Sequence, residues 1–240
     1  MTEEKAPETT AQKPQTAASP SPPSLEERLS DFEAWVHDNR KLLIYAVGGV
    51  LGLIVLFLAV SRFYLAPRNE EANNQMFMAQ QWFGQDSLRL ALEGDGNYPG
   101  FRQIISDYRW TDAANLAHYY AGICLLRMGS FEEALDHLKA FKGRDKLVTA
   151  MAYAAMGDAY SELGQMEKAV SYYKKAAYHE ENELISPVYL KRAGLLLERL
   201  NRAQEALQLY QEIKTRFPNS VEGREMDKYI GRVESAAVRR

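Results

Sequence analysis

Cysteine is almost absent from this chain: Cys124 is the single one in 240 residues. An internal disulfide is therefore excluded, and Cys124, set in a helical apolar pattern, reads as a small buried hydrophobe. Histidine is nearly as scarce. His37, His118, His137 and His179 form no close pair at metal-ligand spacing, and no glycine-rich phosphate loop or nucleophile motif is found. The acidic stretch around Glu180, Glu181 and Glu183 reads as a solvated loop, with a cation site the weaker reading. Catalysis, a cofactor and a metal ion are accordingly not expected. A dominant charge sign is also missing, with 29 basic residues against 32 acidic ones and a net charge of −3. Nothing suggests binding along a nucleic-acid backbone.

What is present falls into regions. Residues 1–24 hold five prolines and almost no large apolar side chains, which predicts a disordered tail. Residues 25–41 open on Ser24 and Glu27, a capping box, and place Leu25, Leu29, Phe32 and Val36 on one helical face. This amphipathic helix lies on a membrane surface, pairs with a partner helix, or simply leads into the next element.

Residues 42–61 carry no charge. At about 1.5 Å per residue they extend about 30 Å, the thickness of one bilayer core, so 42–64 is expected to be a transmembrane helix. Ala59, Val60 and Ser61 have the small-residue spacing of a signal-peptide cleavage site. The long preceding region and the long apolar run favour a retained anchor. Arg28, Arg40 and Lys41 against Arg62 and Arg68 give a slight positive bias on the N-terminal side, which favours a cytoplasmic N-terminus. Gly48 and Gly52 have the spacing of a helix-packing face and leave a homo-oligomer open.

From residue 70 onward the chain is helical with regular breakers, and it repeats. Gly122, Gly157 and Gly194 are separated by 35 and 37 residues; so are Ala134, Ala169 and Ala206, and Gly129, Gly164 and Asn201. The aligned segments are HYYAGICLLRMGSFEEALDHLKAF, YAAMGDAYSELGQMEKAVSYYKKA and LKRAGLLLERLNRAQEALQLYQEI. Large residues flank the small ones at fixed offsets: His118, Tyr153 and Leu190 before, Leu125, Tyr160 and Leu197 after. The pattern resembles the tetratricopeptide repeat family. Asn201 replaces the turn glycine, and asparagine tolerates the left-handed conformation needed there.

The resemblance implies an all-α solenoid of antiparallel helix pairs, A and B. Gly122, Gly157 and Gly194 would let each helix A approach helix B, Ala134, Ala169 and Ala206 would do the same from the B side, and Gly164 would make a turn. The expected domain spans 70–240, with repeats at about 115–148, 150–183 and 187–220 and a capping helix at 221–238. Residues 70–113 read as a degenerate first repeat, because Phe101, Ile104 and Thr111 imitate Tyr210, Ile213 and Ser220.

The family's groove positions map to Tyr119, Ile123 and Arg127, then Asp158 and Ser161, then Lys191, Leu195 and Glu198. A protein or peptide would bind there. The lysine and asparagine clamp for a terminal carboxylate does not match, since Tyr119, Ile123, Ala154 and Asp158 stand at its positions. In layout the chain is similar to the ancillary subunit of the bacterial Sec translocon. That similarity implies an inner-membrane anchor, repeats in the periplasm, and a link between the translocon and periplasmic chaperones. The alternative is a scaffold for another envelope complex. The FxxII and RFPNS segments resemble repeats of outer-membrane assembly lipoproteins, but residues 1–61 offer no cysteine to lipidate.

Overall fold

The computed structural model describes Leu29 and residues 35–238. The expected tail at 1–24 and most of the expected amphipathic helix at 25–41 lie outside the described residues. The polypeptide divides into two units, residues 1–58 and 59–240.

In the first unit the dominant element is α1, Arg40–Ala59, which has no buried side chain. A helix that is apolar all round and unburied has no use for water on any face. Its length and composition suffice to cross a membrane, and no other helix among the described residues passes that test.

The second unit is all-helical among its described residues. A π-helical segment, Val60–Leu65, leads without interruption into α2 (Ala66–Gly84), and Pro67, which has no N–H to donate, stands just after the change of helix type. Two short helices follow, α3 (Leu88–Glu93) and α4 (Phe101–Asp107). The expected degenerate repeat at 70–113 thus consists of one long helix opposed by two short ones. The break between them is built from its own turn chemistry: Asp95 Oδ1 accepts from the backbone N–H groups of Asn97 and Tyr98 at 2.9 and 2.8 Å.

Six helices then alternate as A and B partners: α5 (Asp112–Arg127), α6 (Phe131–Ala140), α7 (Lys146–Glu162), α8 (Met166–His179), α9 (Ser186–Arg199) and α10 (Ala203–Arg216). A last helix, α11 (Val221–Val238), packs on both α9 and α10. The starts of these helices are visible in the residue types. Thr111 Oγ1 accepts from Ala114 N–H, Asp145 Oδ1 from Val148 N–H, and Ser220 Oγ from Gly223 N–H.

The turns within the pairs are equally regular. Gly129, Gly164 and Asn201 have φ of +84°, +71° and +59°, the left-handed conformation that ends a helix and starts its antiparallel partner. Two apolar clusters meet along α5. One runs from Ala72 and Met76 through Phe101 and Ile104 to Leu125, and the other from Tyr119 and Leu138 to Met226 and Val233.

Candidate protein-binding surface

The A helices are brought close to their B partners by their glycines. A Cβ on Gly122 would lie 2.6 Å from Leu138 Cγ, one on Gly157 2.7 Å from the Tyr173 ring, and one on Gly194 2.5 Å from Tyr210 Cε1. Ala134, Ala169 and Ala206 are fully buried on the opposing helices. Gly164 is exposed at its turn. Phe101 and Ile104 in α4 are as fully buried as Tyr210 and Ile213 in α10, and Thr111 and Ser220 both cap the helix that follows.

The predicted groove residues are mostly engaged inside the fold. Tyr173 Oη donates to Asp158 Oδ1 at 2.6 Å, and Arg192 Nη1 reaches the same oxygen at 2.7 Å. One repeat later, Tyr210 Oη donates to Glu198 Oε1 at 2.5 Å, and Arg232 Nη2 joins it at 2.6 Å. Each unit ties a B-helix tyrosine, an A-helix carboxylate and a basic residue of the next A-type helix. Lys191 makes a parallel link to Glu225 of α11 at 3.1 Å and lies over the Tyr229 ring. These rungs pair Asp158, Glu198 and Lys191 with opposite charges on the neighbouring helix. Arg192 also covers Tyr173 and Tyr189, whose rings stack at 6.3 Å.

Tyr119 is 8% exposed and belongs to the core. Burial, with Tyr120 and Tyr189 nearby, pushes its hydroxyl pKa up to about 12. Burial together with the hydrogen bonds to Asp158 and Glu198 likewise pushes Tyr173 and Tyr210 up. Ile123, Ser161 and Leu195 are half-buried. Arg127 sits at the C-terminal end of α5 and pairs with Asp86 at 2.6 Å. The structure therefore unites Asp158, Lys191 and Glu198 in cross-repeat links, keeps Tyr119 inside, and leaves Arg127 in a separate contact. Met151, another helix A position, is 41% exposed and apolar.

Two features escape sequence reading. His118 and His137 share a hydrogen bond, with their Nδ1 atoms 3.1 Å apart. They come from different helices, so no local spacing announces the pair. Burial lowers both pKa values; His137 further lowers that of His118, and Arg102 that of His137. Among the described residues no group of three or more His, Cys, Asp or Glu side chains could hold a metal ion. The second feature is an open cavity of about 470 Å³ whose lining includes Ile105, Arg109, Trp110, Asn115, His118 and Arg144. No sequence pattern marks Trp110. Cys124 is buried, and burial raises its thiol pKa to about 12, which leaves it protonated and inert at neutral pH.

Two tetratricopeptide repeat family models match the chain, one over residues 112–177 and one over 154–221. The chain is also 29% identical over 99 residues to a protein of Guillardia theta named uncharacterized protein ycf37. That similarity covers 40% of this chain and 54% of the relative, so the chain spans about half the length of the curated relative it matches. The helix pairs α5–α10, their glycine crossings and both family matches coincide over residues 112–221, and this part of the chain is built of tetratricopeptide repeats.

Proposed function

We propose that this protein is a membrane-anchored adaptor that holds segments of other proteins on the A-helix face of its repeats. Helix repeats of this family serve protein interaction, which makes an adaptor role the direct reading of residues 112–221. The observation that carries the fuller proposal is the attachment of such repeats to α1, an apolar helix with no side chain buried in the fold. An anchor of this kind confines an adaptor to a membrane surface and raises its effective concentration for partners there.

The finer assignment follows the layout. The span crosses a bacterial inner membrane with the N-terminus in the cytoplasm, and the repeats work in the periplasm. There they link the protein-conducting channel to emerging chains and periplasmic chaperones. The other reading is a scaffold dedicated to one different envelope complex. A Cβ placed on Gly48 or Gly52 would meet nothing within 4 Å, so that face of α1 is open to a second copy of the span.

The test is photo-crosslinking in living cells from Met151, Ser161 and Leu195, followed by mass spectrometry of membrane extracts. These positions reach solvent, whereas Tyr119 does not. Channel subunits, exported chains or chaperones among the products support the translocon reading. One fixed envelope protein replaces it with the scaffold reading, and no protein product from any of the three positions refutes the A-helix face as the binding surface.

A further inference from the structure

Trp110 is 86% exposed and has φ of +69°. Both facts are unfavourable for a soluble turn. A bulky residue is disfavoured in the left-handed region, and an indole left in water forfeits its burial. Such strain persists only where the surroundings hold it, and three contacts do so here. Arg68 Nη2 donates to the Asp107 carbonyl at 2.5 Å, Asn69 Oδ1 accepts from Ala113 N–H at 2.9 Å, and Tyr108 Oη donates to Glu71 at 3.1 Å. Arg68 also lies over the rings of Tyr64 and Tyr108. The turn that carries Trp110 is thus fastened to the first two turns of α2.

That position has a consequence if α1 spans a bilayer. Chain continuity then puts the residues just after Ala59 at the membrane–water boundary. Ser61, Leu65, Ala66 and Asn69 border one hollow together with Trp110 and Arg144. Leu65 directly follows the expected span at 42–64, which places it within the interfacial layer. Phe63 and Tyr64 are exposed at the same level, and Arg109 is exposed beside Trp110. Exposed tryptophan, tyrosine and arginine at the end of an apolar span form the composition of a membrane interface, where the ring enters the acyl boundary and the guanidinium meets phosphate.

We infer that the Trp110 turn is a second membrane contact, seated in the lipid headgroup layer at the level of Ser61 and Leu65, with which it shares a hollow. It would give the first repeat a lipid contact of its own. The inference rests on the anchoring reading above.

The full chain, labelled with fluorotryptophan and reconstituted into phosphatidylcholine–phosphatidylglycerol vesicles, supplies the test. Its three tryptophans are Trp35, Trp82 and Trp110, and Trp110→Phe assigns the resonance of interest. Flotation of the vesicles first shows whether the chain is anchored. A nitroxide lipid labelled at the headgroup is then added. The expected result is at least a threefold loss of Trp110 fluorine intensity relative to Trp82, which is 17 residues beyond Leu65, about 25 Å of helix. Flotation with equal intensity at Trp110 and Trp82 overturns this inference alone and leaves the anchor standing. Failure to float overturns the anchor and this inference with it.

Discussion

Gly157 lies against the ring of Tyr173 so closely that a Cβ would stand 2.7 Å from Cδ1 and Cε1. Gly194 repeats the relationship with Tyr210, while Gly122 meets Leu138. One small residue on helix A is the condition for a large ring on helix B. Gly157→Ala is expected to destabilise the domain by about 1–3 kcal/mol, the usual cost of overpacking, even though alanine favours the helix by about 1 kcal/mol. Gly48→Ala, where nothing stands near, should leave repeat-domain melting unchanged. Thermal melts in detergent followed by circular dichroism measure both. Equal melting of Gly157→Ala and the parent chain would refute the repeat register.

The repeat register was legible because glycine and alanine recur at offsets that only close helix crossing explains. Thr111 and Ser220 could also be matched, since capping chemistry is local. The fate of the groove residues was not. Asp158 and Glu198 look like free surface carboxylates in sequence, and their partners Arg192 and Arg232 lie 34 residues away on another helix. Tyr119 occupies a position that faces the groove in an ideal repeat, yet it is 8% exposed and packs against the rings of Tyr120 and Phe141. The break between α3 and α4 falls on the turn-rich stretch EGDGNYPG, which the sequence announces, whereas the earlier break between α2 and α3 depends on loop geometry that hydrophobic period does not encode.

The His118–His137 contact predicts an acid sensitivity. Both folded pKa values are depressed below the ordinary imidazole value of 6.5, so the unfolded chain binds more protons as pH falls. Stability is fully present above about pH 6.5 and declines as pH falls through the folded values. Arg102 opposes protonation of His137, whereas Glu133 and Asp136 favour it. Melting temperature should fall as pH drops below about 6.5, and His137→Gln should reduce that slope. An identical slope in the variant would assign the acid transition to other groups.

The tyrosines predict the opposite edge of the stability profile. Tyr119, Tyr173 and Tyr210 have folded pKa values above the ordinary value of 10, chiefly through burial. Their contribution is complete below about pH 10 and is lost as pH rises through the folded values. Each should remove on the order of 1 kcal/mol per pH unit above that point. Absorbance of tyrosinate should rise in two phases, with exposed hydroxyls first and the buried set only as the helices melt. Tyr210→Phe should shrink the late phase. A single early phase involving every tyrosine would contradict the burial of these hydroxyls.

The last helix, α11, distinguishes a packing role from a surface role. Met226 is fully buried between α11 and the repeats, and Val233 is nearly so. Lys191 reaches the same helix through an ion pair whose glutamate is half exposed. Exposed pairs contribute about 0–1 kcal/mol, whereas truncating a buried methionine to alanine costs about 2–5 kcal/mol. Met226→Ala should therefore lower the denaturant midpoint markedly, and Lys191→Ala should barely move it. If the two variants melt alike, α11 is held by its charges and not by its apolar face. Should Lys191→Ala leave stability intact but weaken crosslinking from Leu195, the Lys191–Glu225 link shapes the binding face rather than the fold. Loss of crosslinking with Met226→Ala alone would instead trace the binding defect to an unseated end of the solenoid.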